Sequence, residues 1–139
     1  MLKTESYRRH HHDIRLILST IEKEMDITRI TDNPEVIAVS IRQLFGKFST
    51  HLAIEDKVLY PKALAHNDNK VRKTANDFQT EMGGLGETFD QYRKTWPGPV
   101  AIAKSPEDFA TQTRHILDLL VNRLNREEVE LYTLIDRAG

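Results

Sequence analysis

Cysteine is absent from this chain of 139 residues, which excludes disulfides, thiolate metal sites and cysteine nucleophiles. No apolar run is long enough to predict a membrane span, and the charged N-terminus lacks the apolar core of a signal peptide. An excess of charge of one sign is also missing, because 20 basic and 21 acidic residues leave a formal net charge of −1. Without a basic excess, a nucleic-acid partner is not expected. We therefore expect a cytoplasmic protein with neither a nucleic-acid nor a membrane partner.

Sequence signatures of common catalytic chemistry are missing as well. The chain shows no phosphate-binding loop, no dinucleotide-binding fingerprint and no recognisable pairing of a nucleophile with a general base. Hydrolytic and nucleotide chemistry therefore have no support, and we predict a binding protein rather than an enzyme. Apolar residues do not alternate with period two in any segment, so β-strands are not expected either.

Four segments instead show the apolar repeat that predicts amphipathic helices. Breaks such as AHNDN and WPGP separate them, and Asn33-Pro34 and Ser105-Pro106 each place a capping residue before a first-turn proline. Pro61 is expected to kink or end the second helix. Long helices with short connections predict an all-α, antiparallel up-down-up-down four-helix bundle. The predicted single domain spans 1–139, with helices at about 4–28, 34–65, 69–95 and 106–137.

The second and fourth helices carry related motifs, HLAIEDKVLYP beginning at His51 and RLNREEVELYT beginning at Arg123. At ~100° per residue, Glu55 and Glu127 fall near the centres of the apolar faces of their helices. His51 and Arg123 fall at the edges of the same faces. Both motifs therefore direct a carboxylate into the bundle interior, where it is costly unless it is paired, hydrogen-bonded or bound to a metal.

The first helix brings histidines to the same level of the bundle. His10 falls near the centre of its apolar face, His11 falls at the edge, and the following histidine points away. Imidazole and carboxylate groups from facing helices suit iron, manganese or zinc. A buried ion-pair network is the alternative, in which the Arg123 guanidinium lies between Glu55 and Glu127 and supplies the positive charge instead. The residues alone favour neither interpretation.

The motif HLAIEDKVLYP, with the histidine of helix one and the glutamate of helix four, resembles the hemerythrin-like HHE cation-binding domain over essentially the whole chain. That family has a four-helix bundle that usually holds a non-haem di-iron centre. The apolar spacing that follows the family's helix-one histidine selects His11. The resemblance implies binding or sensing of oxygen, iron or redox state, with O2 as a possible small ligand. The metal ligands that it implies are His11, His51, Glu55 and Glu127.

Two departures from the family pattern reduce the expected ligand set. Arg123 stands where the family has the helix-four histidine, and a guanidinium stays protonated and cannot bind a metal. Helix three has no histidine at the level of the site, around Phe78 to Met82. The resemblance therefore implies a mononuclear or incomplete di-iron site. The alternative is a metal-free interaction or regulatory module, in which Arg123 replaces the metal charge and Met82 fills the cavity.

Several further residues near these motifs are candidates for a supporting role. The glycines at 83, 84 and 86 interrupt helix three, which predicts either a close helix approach, or an opening into the bundle, or a local kink. Oligomeric state has no signature in the sequence. The candidates for additional ligands, or for contacts that support the ligands, are His10, Glu81, Arg123, Glu128, Tyr60 and Tyr132.

Overall fold

The computed structural model describes residues 2–82 and 84–138, with the side chain of Met82 outside that description. The chain forms four long helical rods with short helices in the connections, and the second and fourth rods each contain a π-helical segment. The elements in chain order are α1 (Glu5–Glu24), α2 (Ile27–Asp32), α3 (Pro34–Ile54), π1 (Glu55–Leu59), α4 (Tyr60–Leu64), α5 (Asn69–Met82), α6 (Leu85–Thr95), α7 (Pro99–Lys104), α8 (Pro106–Arg126), π2 (Glu127–Tyr132) and α9 (Thr133–Ala138).

The rods run alternately up and down. Thr4, just before α1, donates a hydrogen bond of 2.7 Å to Asp136 in α9, so the first and fourth rods are antiparallel. Ser40 near the start of α3 donates to Glu24 at the end of α1, so the first two rods are antiparallel as well. In the other half, α5 packs against α9 and α6 against α8. The predicted all-α, antiparallel four-helix bundle is confirmed, and no strand occurs in the described residues.

The two proline-containing helix starts lie where the sequence predicts them. Pro34 and Pro106 are the first residues of α3 and α8, where a missing N–H costs nothing. Asn33 and Ser105 occupy the capping positions, but neither side chain accepts a capping hydrogen bond. Proline geometry and the acids of the first turn therefore start these helices. None of the helices in the described part of the chain is long and apolar enough to cross a membrane.

Other helix bounds differ from the expected ones. The first long helix ends at Glu24 rather than near Thr28, because the Asp26 side chain accepts the backbone N–H of Arg29 and starts α2. The third rod consists of two helices, α5 and α6, rather than one, and Gly83 between them lies outside the described residues. The segment after WPGP, expected to be a plain connection, contains the short helix α7.

The two π-helical segments were not predicted by the periodicity of the sequence. They begin at Glu55 and at Glu127, the two core-facing carboxylates of the motifs. Pro61 lies just after π1 and does not end the rod. In an ordinary α-helix the proline ring clashes with the carbonyl four residues earlier, and the wider π-helical turn makes room for the ring. In the fourth rod, the Thr133 hydroxyl donates to the Glu128 carbonyl at 2.8 Å and satisfies a carbonyl of the widened turn.

Apolar packing forms two clusters, one toward each end of the bundle, and a layer of polar side chains lies between them. Complete burial of a large apolar side chain contributes ~1.5–3 kcal/mol, so the two clusters hold the polar layer in place. The larger cluster is centred on Phe45, Phe48, Phe89, Phe109, Leu117 and Leu120. The smaller one contains Tyr7, Leu59, Tyr60, Val71, Phe78, Leu131, Tyr132 and Ile135.

Candidate metal centre

Four side chains from three rods meet in the polar layer. They are His11 of α1, His51 of α3, Glu55 of π1 and Glu127 of π2, and none is more than 1% exposed. One potential ligand atom of each lies within 4.8 Å of all the others. The structure therefore brings together the four residues that the sequence singles out as metal ligands, and we refer to them as the His/Glu cluster.

The shortest distances within the His/Glu cluster are close to those between neighbouring ligands of one cation. The Nε2 atoms of His11 and His51 lie 2.9 Å apart. Oε1 of Glu55 is 3.2 Å from His51 Nε2, and Oε1 of Glu127 is 3.3 Å from His11 Nε2. Adjacent ligands of an ion bound at ~2.1 Å are about 3 Å apart. Because the buried Oε1 of Glu127 also has no hydrogen-bond donor, the cluster fits a metal ion.

Each carboxylate in the cluster has its second oxygen held by a tyrosine of the opposite motif. The Tyr132 hydroxyl donates to Glu55 Oε2 at 2.6 Å, and the Tyr60 hydroxyl donates to Glu127 Oε2 at 3.0 Å. Both tyrosines are at most 1% exposed. They were predicted only as possible supporting residues, and the contacts show that they fix which oxygen of each carboxylate faces the histidines.

The far sides of the two histidine rings also face polar partners. Oε1 of Glu128 lies 3.4 Å from His11 Nδ1, and Arg15 holds the other oxygen of this carboxylate at 2.6 Å. The Glu128 contact lacks hydrogen-bond geometry, but a carboxylate on the Nδ1 side of the ring suits metal binding through Nε2. On the second ring, His51 Nδ1 lies 3.4 Å from Nδ1 of His10. His10 therefore supports His51 and does not join the cluster.

Arg123 contacts both carboxylates and is only 5% exposed. Its Nη2 is 3.3 Å from Glu55 Oε1 and 3.7 Å from Glu127 Oε2. Burial alone lowers the pKa of Arg123, but the charges of Glu127 and Glu55 and the nearby Tyr60 outweigh burial and raise it above its ordinary value. The guanidinium is thus a permanent positive charge at the centre of the bundle. Its buried Nε has no hydrogen-bond partner.

Without a metal, the His/Glu cluster retains protons. Burial lowers the pKa of His51, but the nearby carboxylates of Glu127 and Glu55 raise it to about 9. Burial and the charge of Glu127 raise the pKa of Glu55 to about 7, against the opposing effect of His51. Burial also acts to raise the pKa of Glu127, but the close approach of His11, His51 and Glu55 and the charge of Arg123 hold it well below its usual range. These protons occupy the lone pairs that a metal ion would use.

One predicted supporting residue lies outside the site. Glu81 of α5 is exposed on the surface and forms an ion pair with Arg126. It was a candidate because it lies level with the site along helix three, but its side chain is on the exposed face of α5. Among the described residues, neither α5 nor α6 contributes an atom to the His/Glu cluster. The prediction that Met82 fills the cavity falls on a side chain outside the described structure.

Two cavities lie beside residues of the site. The first, of about 310 Å³, is lined by His10, Lys47 and His51. The second, of about 350 Å³, is lined by Arg123, Tyr60 and Gly86, among others. A Cβ atom added at Gly84 or Gly86 would meet no atom within 4 Å, so a close helix approach does not explain these glycines. Of the other two alternatives, the cavity beside Gly86 agrees with an opening, and the end of α5 at Met82 with a new helix from Leu85 agrees with a local kink.

The sequence left open which histidine of helix one joins the cluster. The helical projection put His10 nearer the centre of the apolar face, but His11 is the fully buried residue. The apolar positions three, seven and ten residues after His11 were the signal that identified it, since Ile14, Leu18 and Ile21 are all buried on the same face.

Comparison with known proteins agrees with this geometry. No solved structure matches the chain. A protein described as "DNA nickase" from Nostoc sp. (strain PCC 7120 / SAG 25.82 / UTEX 2576) is 22% identical over 128 residues, which cover 92% of this chain and 32% of that protein. The chain thus spans about a third of the length of this relative. The family model for the hemerythrin HHE cation binding domain matches residues 2–135. The chain therefore belongs to the hemerythrin HHE cation-binding family.

Proposed function

We propose that this domain binds one non-haem iron ion through His11, His51, Glu55 and Glu127. The observation that carries the proposal is the convergence of four buried ligand atoms within 4.8 Å of one another. Two imidazoles with carboxylates suit iron(II) among the metals that proteins use, and the family to which the chain belongs is a cation-binding one. Membership of a cation-binding family supports metal binding in general, and we propose iron as the metal.

Arg123 is the reason for proposing one ion and not two. The two carboxylates of the His/Glu cluster carry two negative charges, and the guanidinium at 3.3 Å from Glu55 already neutralises one of them. A second divalent ion beside Arg123 would meet a like charge, and the described residues of α5 and α6 offer it no ligand. One divalent ion would bring the net charge of these groups from −1 to +1, and a second would bring it to +3.

An iron ion in this position would supply one-electron redox chemistry and affinity for a small ligand such as O2. The chain's own residues would orient and shield it: Tyr132 and Tyr60 hold the carboxylates, and the apolar clusters on both sides keep bulk water out. The cavity beside His10 and His51 would give a small ligand access. We propose sensing or binding of oxygen, iron or redox state in the cytoplasm, without a nucleic-acid or membrane partner.

The test is the amount of metal bound per chain. The protein is purified without chelator from iron-supplemented cells, and metal is counted by elemental analysis with an absorption spectrum in air. We expect one iron per chain, and none in the double variant His11→Ala/His51→Ala. Arg123→His restores a ligand and removes the competing charge, so it should raise the count above one. Arg114→His, on an exposed face of the same helix, is the matched control and should leave the count at one.

A metal-free interaction or regulatory module remains the second candidate, and the buried ion contacts of Arg123 favour it. Arg123 and a proton on His51 together neutralise Glu55 and Glu127 without any metal. This candidate predicts only trace iron, manganese and zinc in the wild-type protein. It also predicts that Arg123→His creates a site where none existed. A wild-type protein that contains only trace amounts of these metals would contradict the iron proposal.

A further inference from the structure

A separate cavity lies between α3 and α6, at the end of the bundle remote from the metal centre. Its volume is about 560 Å³, within the ~300–1,000 Å³ of sites that hold small molecules. Phe109, which lines it, precedes Glu127 by five turns of the fourth rod, or roughly 27 Å. Its apolar walls are formed by Ala38, Ile41, Phe45, Trp96, Ile102 and Phe109.

Aromatic side chains hold this cavity open and fix its shape. Phe45 of α3 packs against Phe89 and Tyr92 of α6 with ring centroids 5.7 and 5.5 Å apart, so bulky rings separate the two helices. On the other side, Trp96 packs edge-on against Phe109 at 5.4 Å. The indole N–H of Trp96 donates to the side chain of Gln112 at 2.9 Å, which fixes the ring at the cavity edge.

The mouth of the cavity carries an excess of positive charge. Arg42, Arg93 and Lys94 line it, against one carboxylate, Asp90. Arg93 lies over the Phe45 ring and makes only a weak contact of 4.0 Å with Asp90. Within the described part of the chain, Arg42 and Lys94 form no ion pair. An apolar interior with unpaired cations at its edge is complementary to a ligand that has an apolar body and an anionic head.

We propose that this cavity binds a small organic anion with an aromatic or branched apolar body. The body would lie against Phe45, Trp96 and Phe109, where its removal from water is favourable. The anionic group would lie at the mouth, where the guanidinium groups of Arg42 and Arg93 present paired N–H donors that match a carboxylate. The site shares no residue with the His/Glu cluster, so this binding does not depend on the metal.

The probe for this site is 4-phenylbutyrate, with its neutral amide, 4-phenylbutanamide, as the matched analogue. Trp96 is the single tryptophan of the chain, so its fluorescence reports on the cavity alone. Calorimetry provides the stoichiometry and the affinity. We expect one carboxylate per chain, a change in Trp96 fluorescence, and affinity about tenfold higher than that of the amide, since each of two partly exposed ion pairs adds a modest gain.

Charge-removing variants separate the proposed site from general attraction. The double variant Arg42→Gln/Arg93→Gln keeps both exposed positions polar and should weaken binding of the carboxylate to the level of the amide, with no effect on the amide. Arg137→Gln, an exposed arginine in α9, is the control and should change neither affinity. Equal affinity for acid and amide, an equal effect of the control, or no response of Trp96 would each overturn the proposal.

Discussion

Replacing Arg123 by methionine tests whether the guanidinium neutralises Glu55 and Glu127 together with a metal ion or in place of one. The substitution keeps an unbranched side chain of similar reach but leaves two buried carboxylates without their nearest permanent cation. Loss of one partner from a buried ion pair costs ~3–5 kcal/mol. At ~4 °C per kcal/mol for a chain of this size, the metal-free variant should melt roughly 10–20 °C below the wild type.

Added metal should remove most of this difference in melting temperature, because a divalent ion bound to the His/Glu cluster neutralises the charge of the same two carboxylates. Circular-dichroism melts in chelator and in excess Zn²⁺, a redox-inert substitute for iron, measure both conditions. Arg114→Met is the control, since Arg114 is 53% exposed and its contact with Glu22 is worth ~1 kcal/mol or less. If Arg123→Met costs no more than Arg114→Met in chelator, the charge argument is wrong. An equal loss with and without Zn²⁺ would favour the metal-free module.

Three further predictions concern protons and supporting contacts. Without metal, folding raises the pKa of Glu55 from 4.5 to about 7 and that of His51 from 6.5 to about 9. The stability that the bound protons give the folded protein is therefore lost as pH rises from about 4.5 to about 9, while the gain in melting temperature on adding metal grows. A metal-induced gain that stays constant over this pH range would refute the prediction. Tyr132→Phe leaves Glu55 Oε2 without its donor and should cost ~1–3 kcal/mol in urea unfolding, and a loss below ~0.5 kcal/mol would contradict it. Glu128→Gln should weaken Zn²⁺ affinity about tenfold in competition with a chromogenic chelator, whereas Glu130→Gln, on the exposed surface, should not.

The sequence predicts the bundle and most of the site because both depend on periodicity. Apolar residues repeating every three to four positions can be buried in only one way, and that arrangement also places Glu55 and Glu127 in the interior. The motif spacing then brings His51 to the same place, one helical turn away. Residues whose position follows from an uninterrupted regular helix are the ones that sequence reasoning can locate.

Other features depend on contacts between rods, which periodicity does not contain. A projection at ~100° per residue ranked His10 above His11, because it ignores the lean of helical side chains toward the N-terminus and the direction from which neighbours pack. The π-helical segments widen two turns to position carboxylates, and the crossed hydrogen bonds of Tyr60 and Tyr132 join residues far apart in sequence. Glu81 lies level with the site along its helix, but it pairs with Arg126 on the surface, which position along the chain alone does not show.

The two motifs place their carboxylates in the same way, so the difference at their first position decides how many ions the site can hold. Glu55 and Glu127 each open a π-helical segment, each direct Oε1 to a histidine, and each receive a hydrogen bond on Oε2 from the tyrosine of the other motif. The glutamate and the tyrosine are the same in both motifs, whereas the first position differs, where His51 corresponds to Arg123. Exchange of a neutral ligand for a permanent cation removes one donor and adds one positive charge. Both changes disfavour a second metal ion and leave all four ligand atoms of the first in place, and from this we expect one ion.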